Sequence, residues 1–440
     1  MGTPERTHHH MIPWRRVVMV AIVMTFAVSA MWLVIRTFGE SDIATPTPPP
    51  EPTAGQTIAT PTAPVHSTPT TEPATPVVTE VPQWEAGSLP AMLEMAPDRL
   101  SDDSLPLNDV AKYSDIDGWM ASNGIADPLS LAGPDIAEWD AQLDALALPA
   151  SLHEFGLDPI WPQTYGFDLT QVDQVLVIGQ APDYVMIMRG DFDPELLQSA
   201  WVANGYQAVE LEGMTIWSLY PGDRIDLSAP ESRPAMGSMN NVILLEDGTL
   251  IAAARSARLG SVLQVVNGDA PSLAEHDDVQ ALLQPGTGVD TLETAVLSKG
   301  SLLQGTSDSM PELATPMPGT PEPLLPGTPE PGDELQVGEA ALVLIGIWPP
   351  NDGQISMSIR IVMDDPGAAT ESAQMIQQLL RSSISPVTGT PYADRFGNPV
   401  ASVSRGVVTV HAQMEQGPVG WLDVVSSRDL GFAFWEPEGG

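Results

Sequence analysis

Three pairs of neighbouring aspartates, Asp102-Asp103, Asp277-Asp278 and Asp364-Asp365, are the first places where this chain could do chemistry. Two carboxylates cleave a glycosidic bond when they stand roughly 5–9.5 Å apart across the sugar, one as acid and one as base or nucleophile. Sequence neighbours do not meet that geometry, since they face opposite sides of a strand and diverge around a helix. Asp365, which precedes Pro366, and Asp277 fit better as helix-start residues, where a carboxylate accepts from free backbone N–H groups. Tryptophans can serve as sugar platforms, and nine follow the N-terminal region: Trp84, Trp119, Trp139, Trp161, Trp201, Trp217, Trp348, Trp421 and Trp435. Most fall on apolar stripes, where core packing is their ordinary use.

Other chemistries are excluded one by one. His8-His9-His10 lies in a short tail with no other strong ligand, and His66 lies in a Pro/Thr-rich stretch. His153, His276 and His411 are far apart with no metal-ligand spacing. With so many serines and acids available, a Ser-His-Asp triad assembled from them would be a chance match. Gly286-Thr287-Gly288 lacks the third glycine of a dinucleotide loop and reads as a turn. Asp115-Ile116-Asp117-Gly118 is only a fragment of a calcium loop. The absence of cysteine removes disulfides, zinc ribbons, iron–sulfur sites and thiol catalysis. No catalytic, cofactor-binding or metal residue is nominated, and no cofactor is expected.

What would hold these residues in place begins with an anchor. Val17 to Ile35 is an uncharged apolar run broken only by Thr25 and Ser29. At about 1.5 Å per residue it matches a hydrocarbon core of about 30 Å. Arg6, Arg15 and Arg16 precede it, which puts residues 1–16 in the cytoplasm and the bulk of the chain outside. Val28-Ser29-Ala30 would suit a cleaved signal peptide. Met31 to Ile35 continue the apolar run past it, so the expectation is an uncleaved single-pass helix over 17–35 in the cell membrane.

Residues 36–87 form a stalk. Thr45 to Pro76 holds ten Pro and ten Thr with no Lys or Arg, a composition that is extended, polyproline-like and without a core. From residue 37 onward there are 13 Lys plus Arg against 56 Asp plus Glu. A surface this acidic repels nucleic acid and anionic headgroups.

The remainder reads as α+β. Residues 88–165 are mostly helical, a cap, with Ile136, Trp139, Leu143 and Leu146 on one helical face. Residues 166–303 give two short apolar strands, a helix opened by Asp193-Pro194, hairpins turning at Glu212-Gly213 and Asp247-Gly248, and a capping box at Ser272–Glu275. Residues 304–335 are a Pro-rich loop or linker with Pro318-Gly319-Thr320-Pro321-Glu322-Pro323 repeated from Pro326 to Pro331. Residues 336–440 repeat the syntax: a continuous apolar strand from Ala341, an alternating strand from Ile355 to Met363, a helix after Asp365-Pro366, then a hairpin around Arg405-Gly406. Two antiparallel-sheet units forming a pseudo-repeat are therefore expected.

Tyr165-Gly166-Phe167-Asp168-Leu169, Val172-Asp173-Gln174-Val175-Leu176, Arg189-Gly190-Asp191-Phe192-Asp193 and Asn240-Asn241-Val242 carry a resemblance. Over residues 88–300 the chain resembles anchored ectodomain proteins of Chloroflexota-type bacteria to which no activity is assigned. The resemblance implies an exported single-pass protein and transfers no substrate or catalytic residue. The expected function is a membrane-tethered extracytoplasmic binding or scaffold protein whose ligand is a cell-surface protein or glycan, and not nucleic acid. The alternative is a cell-surface hydrolase acting on glycans through paired carboxylates. A deep pocket with two carboxylates would favour the enzyme, and a broad, shallow patch the binder.

Overall fold

Apolar runs without alternation become strands covered on both sides. In the computed structural model, residues 84–98, 111–128, 131–180, 183–220, 234–284, 288–299, 340–351, 354–385, 388–415 and 419–426 are described. The expected membrane span, the Pro-rich linker and the stalk up to residue 83 lie outside them; the last expected stalk residues, 84–87, are described and joined to the fold, with Tyr113 Oη donating to Gly87 O. No helix among the described residues is long and apolar enough to cross a membrane.

Twelve strands form one antiparallel sheet: β1 (Ala111–Asp115), β2 (Val172–Gln180), β3 (Asp183–Gly190), β4 (Gln207–Leu211), β5 (Met214–Ser218), β6 (Asn241–Leu244), β7 (Leu250–Ala253), β8 (Thr294–Lys299), β9 (Ala340–Asn351), β10 (Gln354–Met363), β11 (Phe396–Ser404) and β12 (Val407–Met414). Their order is β11-β12-β10-β9-β8-β1-β2-β3-β7-β6-β5-β4. The fold is α+β, as the syntax implies. The strands of both expected units lie in this single sheet and meet where β9 pairs with β8, while β1, from the expected helical cap, pairs with the other side of β8. Neither strand is legible as such: β1 (Ala-Lys-Tyr-Ser-Asp) sits in the stretch read as helical, and β8 is short.

Alternate residues feed two cores. On β3, Tyr184, Met186 and Met188 enter one core while Val185 and Ile187 enter the other. The first core is closed by α2 (Ile116–Ser122), α3 (Ile136–Leu143), α4 (Ala150–Phe155), α5 (Ile160–Tyr165), α6 (Pro194–Ala203), α9 (Ala369–Ser382) and α10 (Val419–Ser426), which bring Trp119, Trp139, Trp161, Trp201 and Trp421 into it. The second is closed by α1 (Leu89–Leu93), α7 (Ser256–Val266) and α8 (Asp277–Leu282), through Leu89, Leu263 and Val279 among others. Burial on both faces explains the near-continuous apolar strands.

Local grammar is mostly realised. Asp193 caps α6 by accepting from the N–H groups of Glu195 and Leu196. Leu197 and Trp201 bury the apolar face of α6 in the first core, while Leu196 is 57% exposed. Asp365 accepts from Gly367 N–H and opens a 3₁₀ turn that runs into α9. The expected capping box at Ser272 is not formed: a 3₁₀ turn occupies Leu273–Glu275, and the His276 ring caps α8 by accepting from Asp278 N–H at 3.3 Å. A capping box forms instead at Asp168–Gln171. On β10 the polar side is less exposed than alternation implies, since Arg360 is buried and donates to Leu282 O at the end of α8.

Candidate functional site

The residues singled out for chemistry turn out to hold the fold. Asp277 and Asp278 lie in the first turn of α8, and Asp365 is a cap. Asp102-Asp103 is outside the described residues. His153 pairs with Asp144 at 3.1 Å on an exposed helix pair, His276 is a cap, and His411 stacks on Trp348 at 4.9 Å between ring centres. These three histidines stand on separate elements, and no group of three or more metal-ligating side chains gathers among the described residues. Gly288 adopts φ +76° in a turn, and its carbonyl accepts from Trp348 Nε1. Asp115 is the N-cap of α2, accepting from Gly118 N–H and from Gln174 Nε2, each at 3.1 Å. The calcium-loop fragment is thus a strand-to-helix junction.

That junction belongs to a carboxylate cluster assembled by the central strands. β1 ends at Asp115, β2 begins beside it with Asp173 and Gln174, and Glu293 directly precedes β8. The backbone ties them together, because Asp115 N–H donates to Glu293 O at 2.6 Å and Glu293 N–H to Ile347 O at 3.1 Å. Glu293 is 3% exposed, and neither of its carboxylate oxygens has a hydrogen-bond partner. Burial raises it from 4.5 to about 7, with the charge of Asp115 adding to the rise and the nearby Ser122 hydroxyl opposing it. Burial also raises Asp115, against the bonds from Gly118 and Gln174. Asp173 rises through burial and the crowd of Asp117, Asp115, Asp127 and Asp191. Glu293 carries no signal in the sequence, since only the pairing of β1 with β8 brings it to Asp115.

The second feature is an open groove of about 660 Å³ on the α1/α7 side of the sheet. Its walls are the end of α1 with Glu94 and Met95, the ends of β5 and β6 with Met214, Ile243 and Leu245, and the last turn of α7 with Val265 and Val266. The floor is apolar because Met95, Met214 and Leu245 continue the second core outward. The rim is acidic, made by Glu94, Glu246 and Asp247. Asp247 is engaged: its carboxylate accepts from Thr249 N–H and Oγ1, and Arg189 stands 3.6 Å away. Glu94 and Glu246 are exposed and have no basic partner among the described residues. Partial burial and then Glu275 push Glu94 above its ordinary value. The Asp247-Gly248 turn was legible as a hairpin; its neighbourhood to α1 was not.

Comparison with protein-family models, with curated proteins and with solved structures finds no match.

Proposed function

We propose that this chain is a membrane-tethered extracytoplasmic binding or scaffold protein that holds its ligand in the groove between α1, α7 and the ends of β5 and β6. The observation that carries the reading is the groove itself: open, apolar at its floor, and rimmed by carboxylates that serve no cap or ion pair at Glu94 and Glu246. Ligand sites are typically concave and apolar with a few placed polar groups. Tethering rests on the uncharged run Val17–Ile35 behind Arg15-Arg16 and on the Pro/Thr-rich stretch after it. A photo-cross-linking residue at Met214 or Val266 should capture a ligand in intact cells, while one at the exposed Glu138 on α3 should not. Equal capture at both places, or none at the groove, refutes the reading. Protease added to spheroplasts should leave a small N-terminal membrane fragment, and full protection of the chain would refute the topology.

One observation favours a glycan hydrolase as a second reading. Glu293 is a buried carboxyl held near 7 with the charge of Asp115 beside it, and two neighbouring carboxyls are what glycoside cleavage uses. Its burial supports the first reading. Polysaccharide turnover lost on Glu293→Gln or Asp115→Asn, in a folded variant, would decide for the enzyme.

We also infer that the sheet holds a duplicated unit. β2-β3 and β9-β10 are hairpins; α6 and the α9 segment follow them; then β7 returns beside β3 as β12 does beside β10. α6 and α9 bury their apolar faces in the same core. Superposing residues 172–253 on 340–414 should lay α6 on α9, and helices that fall on opposite faces or cross at unrelated angles would refute duplication.

A further inference from the structure

We propose that the groove takes a peptide segment of a partner protein that carries both lysine or arginine and bulky apolar side chains, an inference that rests on the groove being the ligand site. The floor offers Met95, Met214 and Leu245, partly buried side chains at the margin of the second core, and methionine adapts its shape to whatever apolar group it meets. Val266 is 36% exposed at the lip. Burying such a surface favours apolar side chains in the ligand.

Charge decides the rest. Arg189 already answers Asp247 at 3.6 Å. Glu94 and Glu246 have no such answer, and the charge of Glu275 adds to the negative potential at Glu94. A cationic side chain entering beside Glu94 would relieve the repulsion that Glu275 imposes there, and Glu246 on the same rim offers it a second carboxylate. An anionic ligand would meet three carboxylates at the rim, and a purely apolar one would leave them without a partner. The chain beyond residue 36, with 13 basic against 56 acidic residues, draws cationic segments toward it at long range. An open groove also suits side chains offered from another protein's surface better than an enclosed small molecule.

The test titrates the purified full chain, with detergent alone as blank, against a short fluorescent peptide of alternating leucine and lysine. Matched peptides replace lysine by glutamate or leucine by serine. Only the leucine–lysine peptide should bind, and raising the ionic strength should weaken it. Glu94→Gln and Glu246→Gln should each weaken binding about two- to fivefold, the scale of exposed charge pairs. Met214→Lys should weaken it roughly tenfold or more. Val266→Lys, at an exposed position, serves the same purpose if Met214→Lys fails to fold. Equal binding of the glutamate peptide, or affinity unmoved by both Glu→Gln changes and by the lysine variants, overturns the proposal. Capture at Met214 in cells without peptide binding would leave the groove as the site and refute this ligand chemistry alone. Absence of capture there would refute the site itself.

Discussion

Glu293→Gln should make the protein more stable at neutral pH and leave it nearly unchanged in acid. Glu293 sits at the seam of the sheet with both carboxylate oxygens unbonded, and its proton affinity is raised from 4.5 to about 7. In the unfolded chain the group ionises near 4.5; in the folded protein it keeps its proton until about 7. Below 4.5 both states are protonated and the group costs nothing through ionisation. As pH rises from 4.5 toward 7 the unfolded state alone gives up the proton, so folding loses stability across that window. Above about 7 both states are ionised and the loss is complete.

At about 1.36 kcal/mol for each tenfold change in proton affinity, the rise corresponds to about 3 kcal/mol. Water around the exposed Ser122 side screens part of it, and about 2 kcal/mol is the expected gain of the glutamine variant at pH 8. The neutral acid and the amide both place an unpaired donor in the same site, so that cost largely cancels between them at low pH. Urea unfolding of both proteins at several values between pH 4 and 8 reads the difference directly. A difference that stays constant with pH, or that grows toward acid, would refute the buried, unbonded carboxylate as its source.

Two further changes probe the packing that positions the sites. Gly190→Ala should cost about 3 kcal/mol in urea unfolding, because a Cβ there would run into the backbone carbonyl of Gln171 at the bulged start of β2; a cost under about 0.5 kcal/mol would show that the strands part easily there. Trp421→Phe should cost about 1 kcal/mol or more, since the buried indole of α10 donates to Ala145 O at 2.9 Å and leaves that carbonyl unanswered when removed. An unchanged midpoint would mean that α10 contributes nothing to stability.

What was legible in the sequence follows from how local each signal is. The Asp193-Pro194 cap and the Asp247-Gly248 turn are set by residues within a few positions, and each has its counterpart in the structure; the alternation on β10 marks a strand, but Ser358 and Arg360 on its polar side are buried. The β1 and β8 strands were not legible for the opposite reason. Their burial comes entirely from partners far along the chain: β1 from β2 and β8, β8 from β9. Lys112 shows the consequence, a lysine in a five-residue strand whose burial lowers its proton affinity. Ser272-Leu273-Ala274-Glu275 shows a local signal overruled, because Leu273 N–H is taken by Ala96 O and the backbone enters α8 through His276 instead.

The same distinction separates the two sites. The carboxylate cluster is assembled from three stretches far apart in the chain, so none of them could announce it: Asp115 ends β1 in the expected helical cap, Asp173 lies in β2, and Glu293 precedes β8 on the other side of β1. Its charge is held inside the fold, with Asp115 and Gln174 committed to a cap and Glu293 enclosed. The groove lies toward the far end of the sheet, where β4 is the exposed edge and the second core thins out between α1 and α7. There the carboxylates of Glu94 and Glu246 face outward with apolar side chains behind them. A group that must meet another molecule has to leave some of its interactions unmade in the free protein, and at the groove Glu94 and Glu246 do so.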